Sequence, residues 1–530
     1  MAETPPRYVA PAARLADGWS LDRLTPPSRL YGANGMRAGK DGRIYVAQVC
    51  GSQVSAIDPV SGAIETVSPM GGGIVGPDDL AFDSDGNLYC TEITSNRLSV
   101  LHPDGTTRVL NGDVPIANPV TVYQDRVIAG ELRMGANIRE FDRNTGESRV
   151  ILADVPMPNA FEVGLDGKLY FPAQGANEIW RVSLDGGPAE VVAKDLGVPD
   201  SVKFDAQGFI ISTQVGSGQV LRIDPRNGSR EVLADLSPGL DNCVFIGERL
   251  FVSHITGAIF ELFGGGKWKP FIEAGFQWPM GLCVNDGGTV TIADGMFAYA
   301  IPHGGARQQI GTLFLGNYPG FLRGLASAGG EQLLATTANG TVARWTPGSE
   351  PELLGAGFDR LMGVAPSAGG GAVFADFDTG RVMLAENGEV TELASGLDKP
   401  MGVAVAADGT VFVAEAGAGR VSKIVGGRAE TVLDGLGRPE GVAIANGTLY
   451  VLDVAGKEVV SSDLSGGARQ TIAALLPVGA PPGVVMKPLG GVGDMCGPMT
   501  SFAGLAAGAD GTLYVSADAE GSVLALRPGD

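Results

Sequence analysis

The chain has 530 residues, of which 44% are hydrophobic and 18% are charged, and its formal net charge is −21. This length exceeds what one hydrophobic core supports, so at least two domains are expected. Because the net charge is negative and no Lys/Arg-rich stripe interrupts it, we expect neither nucleic acid nor an anionic membrane surface as a partner.

The beginning of the chain has no basic segment followed by an apolar run, and no apolar stretch is long enough to span a bilayer. These features indicate a soluble, cytoplasmic protein. The five cysteines show no C-x-x-C spacing, and four of them lie within strand-like runs. We therefore expect them to be buried free thiols.

Residues 1–16 form a Pro/Ala-rich lead that is expected to be flexible, and a repeat follows it. GPDDLAFDSDGNLYCTE (76–92) and KPMGVAVAADGTVFVAE (399–415) each contain an apolar strand, an Asp-Gly turn and a second strand ending in Glu. Segments such as NRLSVLHPDG (96–105) and REVLADL (230–236) supply a third and a fourth strand. Four antiparallel strands joined by such turns are typical of a β-propeller blade.

Each repeat is marked by one residue at the start of its first strand, usually directly before a small residue. Successive markers are 39 to 44 residues apart, except for the last two, which are 63 residues apart. The extra residues lie in an apolar, Gly/Pro-rich insertion at 475–500, which is either a lid over a pocket or an interdomain plug. Twelve blades in one ring would leave an unfilled hole, so we expect an all-β protein of two tandem six-bladed β-propellers. The markers are Asn34, Asp78, Asn118, Asn159, Asp200, Asp241, Met280, Arg323, Met362, Met401, Glu440 and Ala503.

A propeller ring usually closes when its last blade borrows a strand from the start of the domain. GWSLDRL (18–24) precedes the first repeat and GKWKPFI (266–272) precedes the seventh, so each ring is expected to close itself. This places the N-terminal propeller at 17–265 and the C-terminal propeller at 266–530. The alternative pairs GWSLDRL with the last blade of the second propeller.

In a propeller the first strands line a central channel, so equivalent residues at their starts converge. The first six markers, which we call the polar ring, are carboxylates and carboxamides without a Lys or Arg, a mixture that binds hard cations such as Ca²⁺. None of the six equivalent residues in the second half is Asn or Asp, so the turn itself does not demand these residue types. Two alternatives stay open: local turn chemistry and a water-filled polar channel. Lys203 and Arg133 are near in sequence and could neutralise part of the charge.

This pattern resembles the calcium-dependent six-bladed propeller hydrolases, which comprise gluconolactonase and regucalcin, the paraoxonases and diisopropyl fluorophosphatase. The resemblance implies metal ligands at Asn118, Asn159 and Asp200, in the third to fifth blades. Where the family has a Glu in the first blade, this chain has Asn34, and Asp78 or Asp241 would compensate. The repeat text also resembles streptogramin lyase and NHL repeats. The resemblance to NHL repeats implies a structural role for Asp294, Asp376, Glu415 and Asp453 at the second-strand ends of the second half.

In the N-terminal half of the chain, the second strand of each repeat is expected to end at the same face as the polar ring. The residues at these strand ends include Glu92, Glu131 and His254. An imidazole titrates near neutral pH, so His254 is a candidate acid or base, with a purely structural histidine as the alternative. Asp200, Glu92 and Glu131 are the other candidates for proton transfer.

These residues lead to two classes of function. The first is a metal-dependent hydrolase that opens a lactone or ester of a small molecule, with Ca²⁺ as the expected cofactor and Mg²⁺, Mn²⁺ or Zn²⁺ as alternatives. A lyase of the streptogramin type would use the same parts. The second class is a non-catalytic propeller pair that binds protein or sugar. The substrate and the oligomeric state stay open.

Overall fold

The computed structural model describes residues 5–529 of the chain. Within this range it contains twelve antiparallel sheets, no α-helix, and 3-10 turns at Ile93–Ser95 and Gln174–Ala176. The predicted all-β architecture is confirmed, and the sheets are of the kind that form propeller blades. Across residues 5–529, no helix has the length and apolar character needed to cross a membrane.

The described chain divides into two compact units. Unit 1 contains Arg29–Gln277 and Gly483–Gly493, and unit 2 contains Pro5–Ser28, Trp278–Pro482 and 494–529. Unit 1 is therefore inserted in the chain between the first strands of unit 2 and the rest of that unit. Residues 1–4 of the expected lead and residue 530 lie outside the described residues.

Unit 1 holds six sheets of four consecutive strands, which follow β1 (Arg14–Leu15) and β2 (Trp19–Arg23) of unit 2. Sheets 1 to 3 comprise β3 (Met36–Ala38), β4 (Ile44–Gln48), β5 (Gln53–Ile57) and β6 (Ile64–Ser68); β7 (Pro77–Phe82), β8 (Leu88–Glu92), β9 (Arg97–Leu101) and β10 (Thr107–Asn111); and β11 (Ala117–Tyr123), β12 (Arg126–Glu131), β13 (Ala136–Phe141) and β14 (Ser148–Val155). Sheets 4 to 6 comprise β15 (Glu162–Val163), β16 (Lys168–Ala173), β17 (Glu178–Ser183) and β18 (Glu190–Ala193); β19 (Lys203–Phe204), β20 (Ile210–Thr213), β21 (Gln219–Ile223) and β22 (Arg230–Asp235); and β23 (Leu240–Ile246), β24 (Arg249–His254), β25 (Ile259–Phe263) and β26 (Lys267–Ile272).

Unit 2 holds the other six sheets. Sheets 7 to 9 comprise β27 (Leu282–Val284), β28 (Val290–Asp294), β29 (Phe297–Ile301) and β30 (Gln308–Thr312); β31 (Leu322–Ser327), β32 (Leu333–Thr337), β33 (Thr341–Trp345) and β34 (Glu352–Ala356); and β35 (Leu361–Pro366), β36 (Ala372–Asp376), β37 (Arg381–Glu386) and β38 (Glu389–Ala394). Sheets 10 to 12 comprise β39 (Pro400–Val405), β40 (Val411–Glu415), β41 (Arg420–Val425) and β42 (Arg428–Leu433); β43 (Pro439–Ala445), β44 (Thr448–Asp453), β45 (Glu458–Asp463) and β46 (Gln470–Ala474) with β1; and β47 (Leu505–Ala507), β48 (Leu513–Ala517), β49 (Ser522–Pro528) and β2.

The core of unit 1 lies between neighbouring sheets, where their apolar faces meet. Leu80 and Cys90 of sheet 2, for example, pack with Ala47 of sheet 1. A further cluster joins sheet 6 to sheet 1 through Phe251 and Ile44, so the order of the six sheets is circular. All five cysteines are buried free thiols, as predicted.

The closing strands differ from the expectation. GWSLDRL supplies β2, which pairs antiparallel with β49 of sheet 12, with Trp19 opposite Pro528. GKWKPFI supplies β26, the fourth strand of sheet 6, which pairs with β25. GWSLDRL therefore belongs to unit 2 and GKWKPFI to unit 1, the reverse of the expectation. The observed closure is the alternative in which GWSLDRL pairs with the last sheet. The physical reason is that β26 follows β25 directly as a hairpin, so sheet 6 needs no borrowed strand.

The expected domain limits change for the same reason. Gly265 and Gly266 have φ values of 75° and 73°, the left-handed conformation of a tight hairpin turn, so they connect two strands of unit 1 rather than two domains. The units divide instead between Gln277 and Trp278. The expected flexible lead is also partly ordered, because β1 pairs with β46 and the Arg7 guanidinium donates to the Ala519 carbonyl over 3.0 Å.

Candidate metal site

The members of the polar ring lie at the start of the innermost strands of unit 1. Three of them share one repeated backbone hydrogen bond to the second strand. The amide of Asn34 donates to Ala47, that of Asn159 to Pro172 and that of Asp200 to Thr213, at 3.0, 3.0 and 2.9 Å. The repeat thus places these equivalent side chains at the same level of their sheets.

Three ring residues form a directed chain of hydrogen bonds. Asn118 Nδ2 donates to Asn159 Oδ1 over 3.0 Å, and Asn159 Nδ2 donates to Asp200 Oδ2 over 3.1 Å. Gln174 Nε2 also donates to Asp200 Oδ2 over 3.1 Å. Both side-chain bonds to Asp200 therefore end at the same oxygen.

Asn34 and Asp241 complete the ring on the other side, where Asn34 Nδ2 donates to Asp241 Oδ2 over 3.3 Å. Asp78 differs from the other ring carboxylates, because no hydrogen bond or ion pair to any residue in 5–529 reaches its side chain. Asp78, Asp200 and Asp241 are all buried. The ring therefore contains three buried carboxylates, and Asp78 is the least compensated.

The three carboxylates influence one another electrostatically. Burial, followed by the charge of Asp79, raises the pKa of the Asp78 carboxyl to about 7. Burial and then the charge of Asp78 raise the pKa of Asp200 well above its usual range, while burial and then the charge of Asp200 do the same for Asp241. Without a cation, the ring therefore favours protonated carboxyl groups.

One buried acceptor in the ring has no donor. Asn118 is 4% exposed, and its Oδ1 has no hydrogen-bond partner among the described residues. Because a buried carbonyl oxygen without a donor costs free energy, a ligand that coordinates this oxygen would compensate for it. The donor set of carboxylate and carboxamide oxygens fits a hard cation such as Ca²⁺.

The carboxylates alone do not assemble into a close metal-binding group. Within residues 5–529, no three His, Cys, Asp or Glu side chains are grouped so that they could hold a metal ion by themselves. A cation in the ring would therefore need the carboxamide oxygens as ligands.

The charged residues that the sequence placed near the ring are paired elsewhere. Lys203 Nζ lies 3.1 Å from Glu162 Oε2, and Arg133 Nη2 lies 2.5 Å from Glu131 Oε2. Asp79, next to the ring, accepts backbone N–H groups from Leu80 and Val120 at 2.8 and 3.0 Å. None of these contacts neutralises a ring carboxylate.

Part of the insertion packs beside the entrance to the ring. Gly483–Gly493 belongs to unit 1, and Leu489 and Val492 in this segment are buried. A Cβ atom placed on Gly76, two residues before Asp78, would lie 3.3 Å from Leu489 Cδ2. The segment thus packs against sheet 2 beside Asp78. Neither this contact nor the bond from Gln174 was assigned from sequence, although Gln174 directly follows a second-strand end.

The equivalent positions of unit 2 have a different chemistry. Met280, Met362 and Met401 are buried, and Arg323 Nη1 donates to the Leu361 carbonyl over 3.0 Å. Glu440 Oε2 accepts the Ala503 amide at 2.7 Å. The next position in each inner strand is a glycine, and all of these glycines except Gly324 line a narrow cavity of about 30 Å³. Unit 2 therefore lacks an oxygen-rich ring at this level.

Glu92 and Glu131 have structural partners. Glu92 is 0% exposed, and its Oε2 accepts Arg97 Nη2 at 2.6 Å and the Val75 amide at 2.8 Å. Glu131 Oε2 likewise accepts Arg133 Nε at 2.8 Å. In unit 2, Glu415 makes the same kind of contacts with Arg420 and the Asp398 amide. Glu92 and Glu131 therefore hold strand ends together, and these contacts favour a structural role over a catalytic one.

His254 is buried, and both of its ring nitrogens are engaged. Nε2 lies 3.0 Å from the Pro238 carbonyl, while Nδ1 accepts the Thr256 amide at 3.2 Å. This pattern places the proton on Nε2, which donates to Pro238. Burial lowers the pKa of His254 to about 4. A neutral histidine with both nitrogens bonded fits the structural alternative, and we no longer regard it as a candidate acid or base.

Comparisons with known proteins add little to this geometry. No protein-family model matches the chain, and the search of curated proteins found no significant relative. Among solved structures, the chain is similar to a component of a nidogen/laminin complex, with 17% identity over 44% of this chain and 93% of that one and a TM-score of 0.39. It is also similar to regucalcin of Agrobacterium tumefaciens strain C58, described as a calcium-binding protein, with 21% identity over 48% of this chain and 98% of that one and a TM-score of 0.37.

Proposed function

We propose that each unit is a six-bladed β-propeller and that the polar ring of unit 1 binds a divalent cation, with Ca²⁺ as the expected ion. The observation that carries this proposal is the unpartnered Oδ1 of Asn118, which is buried in a ring with three carboxylates. The circular order of sheets 1 to 6 supports the propeller interpretation.

The ring residues fit the cation by charge and by donor type. Asp78, Asp200 and Asp241 supply negative charge, while Asn34, Asn118 and Asn159 supply carboxamide oxygens. Three buried carboxylates repel one another, and a cation would replace the protons that otherwise relieve this repulsion. No Lys or Arg occupies a ring position and competes for this role.

We further propose that this ring is the active site of a hydrolase that acts on a lactone or ester of a small molecule. When bound, a divalent cation would polarise the substrate carbonyl and stabilise the developing negative charge. Asp200 is the proposed proton acceptor, because Asn159 and Gln174 orient its carboxylate at 3.1 Å each. The buried Leu489 and Val492 form an apolar wall against which the substrate would lie.

The first experiment tests the cation site. Full-length protein is stripped with a chelator, analysed for bound metal, and melted with and without Ca²⁺, Mg²⁺, Mn²⁺ or Zn²⁺. A ligand at 100 times its Kd stabilises the folded state by about 2.7 kcal/mol, so wild type is expected to melt at a higher temperature with its ion. Asp200→Asn is expected to lose this shift, and Met362→Ala in unit 2 to retain it.

The second experiment tests the reaction. Wild type is assayed against a panel of lactones and esters with and without the ion that stabilises it, and Asp200→Asn is assayed beside it. Metal-dependent turnover that Asp200→Asn abolishes is the expected result. Cation binding without turnover on any substrate would favour the non-catalytic propeller pair. If no ion binds or shifts the melting temperature, the cation site and the hydrolase proposal both fail.

A further inference from the structure

Unit 1 has a second polar layer in its channel, separate from the polar ring. It lies three residues further along each innermost strand, which is about 10 Å away at the usual rise of a β-strand. A cavity of about 370 Å³ opens at this layer, with Phe82, Phe204 and Phe245 around it. The layer consists of Arg37, Ala81, Thr121, Glu162, Lys203 and Val244.

Arg37 in this layer is occupied by the protein itself. Its Nε donates to the Leu80 carbonyl over 2.5 Å, and its Nη2 donates to the Val120 carbonyl over 2.8 Å. The buried carboxylate of Asp79 lies 3.6 Å from Nη2, and Glu162 Oε2, which Arg37 shares with Lys203, lies 3.5 Å from Nη1. Arg37 therefore bridges inner strands and closes the channel between the polar ring and the cavity.

Lys203 is not satisfied in the same way. The residue is 7% exposed, its Nζ lies 3.1 Å from Glu162 Oε2, and within the described range no acceptor meets hydrogen-bond geometry with this ammonium. An ammonium group has three donors, and a buried cation is costly unless it is paired and hydrogen-bonded. Lys203 lines the cavity, so an acceptor inside the cavity can reach it.

The fold does not require charges at this level. The equivalent layer of unit 2 consists of Cys283, Ala326, Ala365, Ala404, Ala443 and Ala506. The same strand position is therefore filled with small uncharged residues in one unit and carries Arg37, Glu162 and Lys203 in the other. Because the repeat geometry is shared, the charged layer points to a ligand rather than to packing.

We propose that this cavity binds a small organic carboxylate with a compact apolar body. Its carboxylate accepts hydrogen bonds from Lys203 Nζ, and its apolar body lies against Phe82, Phe204 and Phe245. The volume of about 370 Å³ is within the usual size of small-molecule sites. The aromatic rim favours an organic anion over inorganic phosphate, while Glu162 remains the partner of Lys203.

Calorimetric titration of the full chain tests this site with a panel of carboxylates from acetate to 3-phenylpropionate. The matched neutral amides and inorganic phosphate are titrated beside them. We expect saturable binding of an aromatic or branched carboxylate, and binding of its amide at least about tenfold weaker. If no carboxylate binds, if the amide binds equally well, or if phosphate binds more tightly than every carboxylate, the proposal is overturned.

Variants then locate the binding. Lys203→Met, which keeps the length of the side chain, is expected to weaken carboxylate binding at least about tenfold, and Lys203→Arg to retain most of it. Lys168→Met, which removes a partly exposed lysine of unit 1 that pairs with Glu190 at 2.7 Å, serves as the control and is expected to bind the carboxylate like wild type. The titrations are made with a chelator present, so this test is independent of the cation site. Unchanged binding by Lys203→Met overturns the proposal. If Lys203→Met does not fold, the proposal is tested by Lys203→Arg, which should retain carboxylate binding, and by the comparison of the acid with its amide. Loss of binding in a folded Lys203→Arg protein, or equal binding of acid and amide, then overturns the proposal.

Discussion

Asn159 donates a hydrogen bond to Asp200 and at the same time accepts one from Asn118, at 3.1 and 3.0 Å. These two bonds orient all three side chains, because each carboxamide must present its nitrogen in the direction of Asp200. The oxygen at the start of this chain of bonds, Asn118 Oδ1, is consequently left without a donor. The orientation of the ring thus creates the open acceptor on which the cation proposal rests.

Asn118→Leu tests this acceptor. The variant removes one unsatisfied oxygen and one hydrogen bond, so we expect the free energy of unfolding of the metal-free protein to change by less than about 2 kcal/mol. Cation affinity is expected to fall at least about tenfold because a ligand is lost. Calorimetry and thermal melts measure the two effects, with Met362→Leu, at the equivalent strand of unit 2, as the control. Unchanged cation affinity would remove Asn118 from the site.

The pH dependence of the ring follows from Asp78. Its folded-state pKa of about 7 lies above the reference value of 3.8, so the metal-free folded protein holds an extra proton between these values. Its stability contribution is therefore lost as the pH rises through this window. Since a cation must displace this proton, its affinity is expected to rise between pH 6 and pH 8.

Cation titrations at pH 6 and pH 8 test the expected rise in affinity. Thermal melts of the metal-free protein at the same pH values test the expected loss of stability. Asp78→Asn is expected to bind the cation more weakly and with a smaller dependence on pH. An affinity that falls as the pH rises would contradict the assignment.

His254 gives the opposite dependence. Its folded-state pKa of about 4 lies below the reference value of 6.5, so the stability it contributes is present above about pH 6.5 and is lost as the pH falls toward 4. A shift of this size corresponds to about 3 kcal/mol for a fully buried group. Acid unfolding of His254→Gln should therefore be less steep over this range, although the variant loses stability at neutral pH. The exposed His303, replaced in the same way, is the control, and a large loss of turnover in a folded His254→Gln protein would restore a catalytic role.

Glu92 is predicted to stabilise the fold without taking part in catalysis. Glu92→Gln weakens a buried pair with Arg97 at 2.6 Å, so we expect a loss of about 3 kcal/mol in the free energy of unfolding and an unchanged cation affinity. Glu415→Gln, which weakens the equivalent pair with Arg420 in unit 2, should cost a similar amount. If Glu92→Gln keeps its stability but loses turnover, while Glu415→Gln does not, the structural assignment is wrong.

The pairing of β2 with β49 predicts that β2 stabilises the sheets of unit 2. Trp19 lies opposite Pro528, so a short glycine linker can join residue 529 to residue 18 as a hairpin. A permuted chain of 278–529, linker and 18–28 is expected to melt cooperatively at a higher temperature than 278–530 alone, which lacks the closing strand. Circular dichroism melts measure the difference. Equal melting temperatures would mean that β2 does not contribute to the stability of unit 2.

The local features of this protein could be predicted from its amino-acid sequence. The Asp-Gly turns, the alternation of apolar residues and the spacing of 39 to 44 residues predicted four-stranded blades and the equivalent positions of the polar ring. These features are local or repeat with the blade, so each repeat carries the same information about its own strands. Asn118, Asn159 and Asp200 could therefore be assigned to equivalent strand positions before the hydrogen bonds between them were known.

The strand that closes each sheet, and the polar side chains that already have partners, could be identified only from the folded structure. β2 and β49 pair between residues at opposite ends of the chain, and an edge strand accepts any extended partner, so sequence could not choose between GWSLDRL and GKWKPFI. Glu92 and His254 were chemically plausible catalysts until their hydrogen bonds to Val75 and Pro238 were seen. Whether a side chain has a partner depends on contacts between separate strands, and the residue type alone does not record them.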